Sequence, residues 1–259
     1  MANHPSPDFL RRIAAAAAAE TLPRFRQNGA VVNKASGSFD PVTEADRAAE
    51  EAIRRLIREH FPDHGIIGEE FGAEKGDSSH LWIIDPIDGT RAFISGLPLW
   101  GTLVGLTVEG DAVAGLMSQP FTGELYYADG GGAYYEGPGS PRRLTTRRTT
   151  TLADATLCTT TPSLFDGKRR PLYDRVEQAV RLPRYGTDCY GYAMVAAGHV
   201  DLVIESGLQS YDIVALIPII EQAGGVVTTW AGAPAEAGGD IVAAATPELH
   251  SRALEFLQG

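Results

Sequence analysis

The chain has 259 residues, with 22 Lys or Arg against 33 Asp or Glu, giving a formal charge of −11. At about 150 residues per domain this is one large domain or two modest ones. The acidic balance argues against a nucleic-acid partner, which needs a basic face, and 44% apolar with 21% charged residues is globular composition, excluding disorder and collagen.

Residues 8–26 are alanine-rich and favour a helix. Arg24 and Arg26 after the alanine run argue against a signal peptide. Beyond the Gly/Ser/Pro stretch 36–41, residues 43–62 place Ala45, Ala48, Ala49, Ala52, Ile53, Leu56 and Ile57 on one face at helical spacing, with Pro62 as the stop. Strand-like runs follow at 65–68, 81–84, 101–109, 112–120 and 124–128. The short turns at 109–111 and 122–123 suggest an antiparallel meander. Gly130 to Gly132 lacks the Lys-Ser/Thr of a phosphate loop and reads as a hairpin turn.

The stretch 137–148, with Arg142, Arg143, Arg147 and Arg148 among glycine, proline and threonine, reads as a boundary between an N-terminal α+β domain, 1–140, and a C-terminal α/β domain, 141–259. In the second domain strand-like segments at 156–160, 202–205, 225–229 and 241–244 alternate with helical ones at 173–181, 190–197, 213–223 and 247–257, an α/β layer. Pro218 should kink the third of these helices. Cys158 and Cys189 are too few for a disulfide scaffold and lack zinc spacing, so a reducing, cytoplasmic location is expected. No run of about 18 apolar residues exists, and no membrane partner is expected.

The segment LWIIDPIDGTRAF carries the chemistry: an apolar strand stops at Asp85 and turns through Pro86 and Ile87 to Asp88, Gly89 and Thr90. Two carboxylates three apart across a proline-held turn, with the Ile87 carbonyl, can converge as oxygen ligands for a hard divalent cation such as magnesium. Gly89 allows a phosphate near the backbone, and Thr90 opens a helix whose free N–H groups favour an anion. Taken singly, such acids are more often caps or solvated groups; Asp46, for one, fits a capping box begun by Thr43, and Asp212 fits an N-cap. Yet Glu69 and Glu70 end another apolar strand, and Asp212 precedes an apolar helix. Together they suggest a two- or three-metal site, in which one cation makes hydroxide from water and another steadies the leaving oxygen of an in-line displacement. An EF-hand fails at its third, fifth and sixth positions, and the one-residue spacing of the D-x-D-G-T aspartyl-phosphate phosphatases is absent.

DPIDGTRAF, the upstream GEE and the downstream YDIVALIPIIEQAGG together resemble the inositol monophosphatase superfamily of magnesium-dependent, lithium-sensitive phosphatases, from about residue 34 to 227. The resemblance implies an alternating α-β-α-β-α layered sandwich, usually a homodimer. It implies Glu69, Asp85, the Ile87 carbonyl, Asp88 and Asp212 as metal ligands, so that most ligands fall in the first domain and the last in the second. Thr90 with Asp46, beside Glu69, would orient and deprotonate the attacking water, and Gly89 and Thr90 would hold phosphate through their N–H groups. Two or three Mg2+ ions are expected, with Mn2+ as a substitute and Li+ as an inhibitor. The sequence departs from the family pattern in a longer loop at 34–40, which includes Lys34, and in Tyr211 where tryptophan is common.

The segments RAFISGLPLWGTL and YGTDCYGYAMVAAGHVDLVIESGL are more similar to the histidinol-phosphatase branch. Asp188, following Gly186 and Thr187, and Glu205, seven residues before Asp212, are the expected substrate contacts. Two acids would pair with the ammonium and imidazole of L-histidinol phosphate, whereas a neutral polyol needs only hydrogen bonds. The expected reaction is therefore hydrolysis of L-histidinol phosphate to L-histidinol and phosphate, a step of histidine biosynthesis. The alternative is an inositol-1-monophosphatase or a broad sugar-phosphate phosphatase.

Overall fold

The protein is described by a computed structural model covering residues 4–27, 32–33 and 41–259. Lys34 and the loop 34–40 lie outside these residues.

Helix α1 (Pro7–Thr21) begins where the Ser6 hydroxyl accepts the Phe9 N–H at 3.2 Å, with proline in its first turn, where no N–H is missed. Helix α2 (Glu44–His60) begins at Thr43, whose hydroxyl accepts the Ala45 N–H at 3.1 Å, while Asp46 accepts the Thr43 N–H at 2.8 Å. The expected capping box is present. The two helices bury Leu10, Ile13, Ala17, Ala49, Ile53 and Ile57 against one face of an eight-stranded sheet.

That sheet runs in space through Arg142–Arg143, Ala133–Glu136, Glu124–Ala128, Asp111–Gln119, Gly101–Val108, His80–Asp88, Gly65–Gly68 and Gly72–Glu74. From His80 onward it is the antiparallel meander that the turns suggest, whereas Gly65–Gly68 runs parallel to His80–Asp88. Alternation assigns its faces: Val104, Leu106, Leu116, Leu125 and Tyr127 meet α1 and α2, while Leu103, Met117, Tyr126 and Ala128 point the other way. The short helix α3 (Thr90–Ile94) follows the strand His80–Asp88.

A second sheet orders Leu182–Tyr185, Thr156–Thr159, Leu202–Leu208, Gly239–Ala244 and Val226–Thr229. Around it lie α4 (Arg169–Ala179), α5 (Asp188–Ala196), α6 (Ser210–Ile213), α7 (Leu216–Glu221) and α8 (Pro247–Gln258). Helices α5 to α7 fill the space between the sheets, where Leu103 and Met117 of the first share a core with Tyr192, Ile217, Val203 and Ile241. Helices α4 and α8 cover the far face through Tyr173, Val176, Leu249 and Leu257. The order of layers is α-β-α-β-α.

The strands Gly72–Glu74, Ala133–Glu136 and Arg142–Arg143 are additional to the sequence reading, the last within the stretch read as a boundary, and two further elements differ from it. The helix expected over 213–223 is two short helices separated at 214–215. Pro218 has no N–H to give the Val214 carbonyl and its ring crowds that oxygen, so the helix breaks where a kink was expected. The strand Leu182–Tyr185 carries Pro183 and Arg184 with exposed Leu182 and Tyr185, a pattern without alternation, and it is admitted because it lies at the edge of its sheet.

Candidate active site

The strand His80–Asp88 pairs Asp85 with Leu103 and Asp88 with Gly101, three steps on one side against two on the other. This bulge twists the strand end and re-aims its side chains. The Thr102 hydroxyl donates to the Pro86 carbonyl at 2.8 Å and the Ile87 N–H donates to Asp85 Oδ1 at 3.0 Å, fixing the turn from within. The Ile87 side chain is fully buried with Phe25, Ala45, Phe93 and Trp100. Its carbonyl accepts the Thr90 hydroxyl at 3.1 Å.

Asp212 arrives from the other half. It sits in the first turn of α6 and accepts the Gln209 N–H at 2.7 Å, closing a capping box as the third helical residue, not as the N-cap. The chain after it lies flat on the first sheet because Gly105 and Gly115 are cross-strand partners beneath Ala215; a Cβ on Gly115 would lie 2.1 Å from the Ala215 carbonyl oxygen. Glu69 ends the strand Gly65–Gly68, its N–H donating to the Ile84 carbonyl at 3.1 Å.

These elements enclose a cavity of about 230 Å³ lined by Glu69, Asp85, Ile87, Asp88, Gly89, Thr90, Arg91, Asp188 and Asp212. Carboxylate oxygens of Asp85, Asp88 and Asp212 lie within 4.8 Å of one another. Burial pushes Asp85 well above the usual carboxylate range, helped by Glu69, Asp88 and Asp212; burial with Asp188 and Asp212 does the same to Asp88. Asp212 is pushed up to about 6, chiefly by burial. Clustered acids that resist ionisation together are an oxygen-donor set for hard cations, whose charge removes both penalties. The residues present fit divalent metal.

Four further expected residues are not among those lining the cavity. Asp46, 1% exposed, binds the Thr43 hydroxyl at 2.6 Å through Oδ2, while Oδ1 is buried without a hydrogen-bond partner; burial raises it to about 6. Glu205, in the strand Leu202–Leu208, accepts the Thr160 N–H at 2.6 Å, and burial pushes it up to about 8. The Thr160 hydroxyl donates to Asp188 at 3.3 Å, so one residue joins the two acids expected to meet substrate. Gly186 donates its N–H to the Thr160 carbonyl at 2.9 Å, and Thr187 precedes α5. Asp188 opens α5 with a φ of 42°, and it is the Thr160 hydroxyl, not a helix N–H, that its carboxylate accepts. Arg91 is the lining residue that the sequence reading did not single out; burial raises Asp188 above its ordinary range, and the Thr160 bond and the Arg91 charge oppose that rise. The available signal was its position directly after DPIDGT.

Five alternating layers with buried acids gathered where a strand ends define a metal-dependent hydrolytic scaffold. A family model described as "Inositol monophosphatase family" matches residues 5–258, and the chain belongs to that family. It is a metal-dependent phosphomonoester hydrolase acting on a small phosphate ester. Among relatives, it is 40% identical to the bifunctional phosphatase IMPL2, chloroplastic, of Arabidopsis thaliana, over 90% of this chain and 69% of that protein. It is 36% identical to the histidinol-phosphatase of Streptomyces coelicolor, over 97% of this chain and 98% of that one. Among solved structures, an inositol monophosphatase from Zymomonas mobilis superposes with a TM-score of 0.86 at 36% identity, covering 97% of each chain. No described helix is long and apolar enough to cross a membrane.

Proposed function

We propose that the protein hydrolyses L-histidinol phosphate to L-histidinol and phosphate. The observation that carries this reading is Asp188, a carboxylate in the cavity wall close to Gly89 and Asp88; a Cβ on Gly89 would lie 3.1 Å from the Asp188 Cβ. An acid there suits a cationic substrate, and Glu205 stands behind it through Thr160.

In this reading Glu69, Asp85, the Ile87 carbonyl, Asp88 and Asp212 hold two or three Mg2+ ions, for which Mn2+ substitutes and with which Li+ interferes. When bound, such cations neutralise phosphoryl oxygens and acidify water. The chain's own residues do the rest. Asp46 keeps one oxygen on Thr43 and leaves Oδ1 as a proton acceptor, ionised above about pH 6. Thr90 orients the nucleophile, and the N–H groups of Gly89 and Thr90, which have no partner within the first helical turn, receive the phosphate. A homodimer and a cytoplasmic location belong to the same proposal.

A second reading, hydrolysis of inositol phosphate, is favoured by one observation: Arg91 lines the cavity and already supplies positive charge to Asp188. Equal identity, 36%, to a histidinol-phosphatase and to an inositol monophosphatase structure leaves the choice to measurement. Phosphate release from L-histidinol phosphate and from inositol 1-phosphate, at one magnesium concentration, decides it. A kcat/KM higher for the inositol ester defeats the histidinol reading.

A further inference from the structure

Helix α2 buries three charged side chains along one side: Asp46, Glu50 and Arg54 are 1%, 0% and 3% exposed. Residues four apart on a helix stack in a row, so these form a polar rail. Asp46 is one end of it, close enough to Glu69 and Glu70 for their charges to oppose its ionisation. The middle of the rail grips the turn between the strands Gly65–Gly68 and Gly72–Glu74. Glu50 accepts the Glu70 N–H at 2.7 Å through Oε2 and the Phe71 N–H at 3.3 Å through Oε1. Arg54 donates to Glu50 Oε1 at 2.7 Å and to Glu74 at 3.3 Å, and its guanidinium also donates to the Gly72 carbonyl.

Gly68 makes room for this grip, since a Cβ there would stand 1.9 Å from Glu50 Oε1. Stability alone is a weak reason for such an arrangement, because apolar residues of similar volume commonly replace a buried ion pair at no loss. What the pair does is fix a turn, and that turn carries Glu69 and Glu70.

We propose that Glu50, anchored by Arg54, is a positioning residue that presets the turn 69–71 and so holds Glu69 in the wall of the acidic cavity before any cation binds. This rests on the metal-hydrolase reading of that cavity. A ligand already in place need not be ordered when the cation arrives, and removing such outer supports typically weakens metal binding about 10- to 100-fold.

The test is a calorimetric Mg2+ titration of the wild-type chain, of Glu50→Gln and of the double variant Glu50→Met/Arg54→Met, beside thermal unfolding and substrate kinetics at saturating Mg2+. Glu50→Gln keeps the volume but gives up one acceptor. The double variant removes both charges and leaves the Glu70 and Phe71 N–H groups without their acceptor. The expected result is a double variant that folds with a Tm lowered by its two orphaned N–H groups, Mg2+ affinity about 10- to 100-fold weaker in both variants, and a KM for the phosphate ester that is little changed. Wild-type affinity in either folded variant overturns the proposal alone; a wild-type chain that binds no divalent cation overturns the functional reading and this proposal with it. Amide hydrogen exchange of the metal-free wild-type chain needs no variant: slow exchange at Glu70 and Phe71 is expected, and exchange at the unprotected rate overturns the preset turn.

Discussion

Asp88 Oδ2 accepts the backbone N–H of Cys189 at 2.7 Å, across 101 residues of sequence. The bond fastens the end of a strand in the first sheet to the first turn of α5, so the cavity has walls from both halves of the chain. An asparagine at 88 can still accept that N–H while removing one charge from beside Asp188 and Asp212. Asp88→Asn is therefore expected to keep the fold, to raise the Tm of the metal-free protein, and to lower phosphate release by about 10³-fold. Thermal unfolding without metal and a phosphate-release assay check the two halves of this expectation. Retained turnover would remove Asp88 from the ligand set.

The acids of the cavity also set the pH dependence of the metal-free protein. Asp46 and Asp212 are raised from 3.8 to about 6 by burial, and burial also pushes Asp85 and Asp88 well above the usual carboxylate range. The folded chain thus holds protons that the unfolded chain has released, and linkage makes stability fall as pH rises from about 4 through 6 and beyond. The Tm measured in chelator is expected to decline from pH 4 to pH 7. Saturating Mg2+ should flatten that decline, because cations replace the protons. A flat profile in chelator would show that these carboxylates do not share one buried site.

Replacing Asp188 separates the two substrate readings. A hydrogen bond to a charged group is worth about 1.5–3 kcal/mol, so Asp188→Ala should raise KM for L-histidinol phosphate roughly 10- to 150-fold. Its effect on inositol 1-phosphate should be much smaller, since that substrate has no positive charge to pair. Equal losses on the two esters would show that Asp188 acts on the fold of α5 and not on substrate charge.

Tyr190 tests how α5 is held. Its hydroxyl donates to Glu124 Oε2 at 2.7 Å, and Tyr126 donates to Oε1 of the same carboxylate at 2.9 Å. Tyr190→Phe removes one charge-assisted bond between the halves and should cost about 2 kcal/mol. That corresponds to a Tm lower by about 4–8 °C in a chain of this size. An unchanged Tm would mean that the remaining hydroxyl donors, Thr122, Tyr126 and Tyr135, satisfy Glu124.

Much of the fold was legible from local pattern. The strand-like runs at 101–109, 112–120 and 124–128 match strands at Gly101–Val108, Asp111–Gln119 and Glu124–Ala128, which are apolar nearly throughout because one face meets α1 and α2 and the other meets the central helices. Alternation gave no hint of Leu182–Tyr185, an edge strand whose side chains are mostly outside the core. The rail of Asp46, Glu50 and Arg54 was equally hidden. Charged residues at helical spacing read as a solvated face, and only the turn folded against them reveals that they are buried. Arg147, left without a role by the sequence, proves to bind buried Asp201 at 3.1 Å.

The amino-acid sequence by itself determined the apolar strand leading into Asp85 and the cap at Thr43, since each depends on neighbours a few residues away; the strand does not stop at Asp85 but continues through a bulge to Asp88, held by its partner strand Gly101–Val108. The meeting of Asp85 and Asp88 with Asp212 and Asp188 was decided by tertiary structure alone. Helices α5 and α6 are seated between two sheets by shape, by the glycines beneath Ala215 and by the Cys189 N–H on Asp88. Contacts over a hundred residues apart leave no period in the chain, and the electrostatic cost that readies these acids for a cation exists only once folding has buried them together.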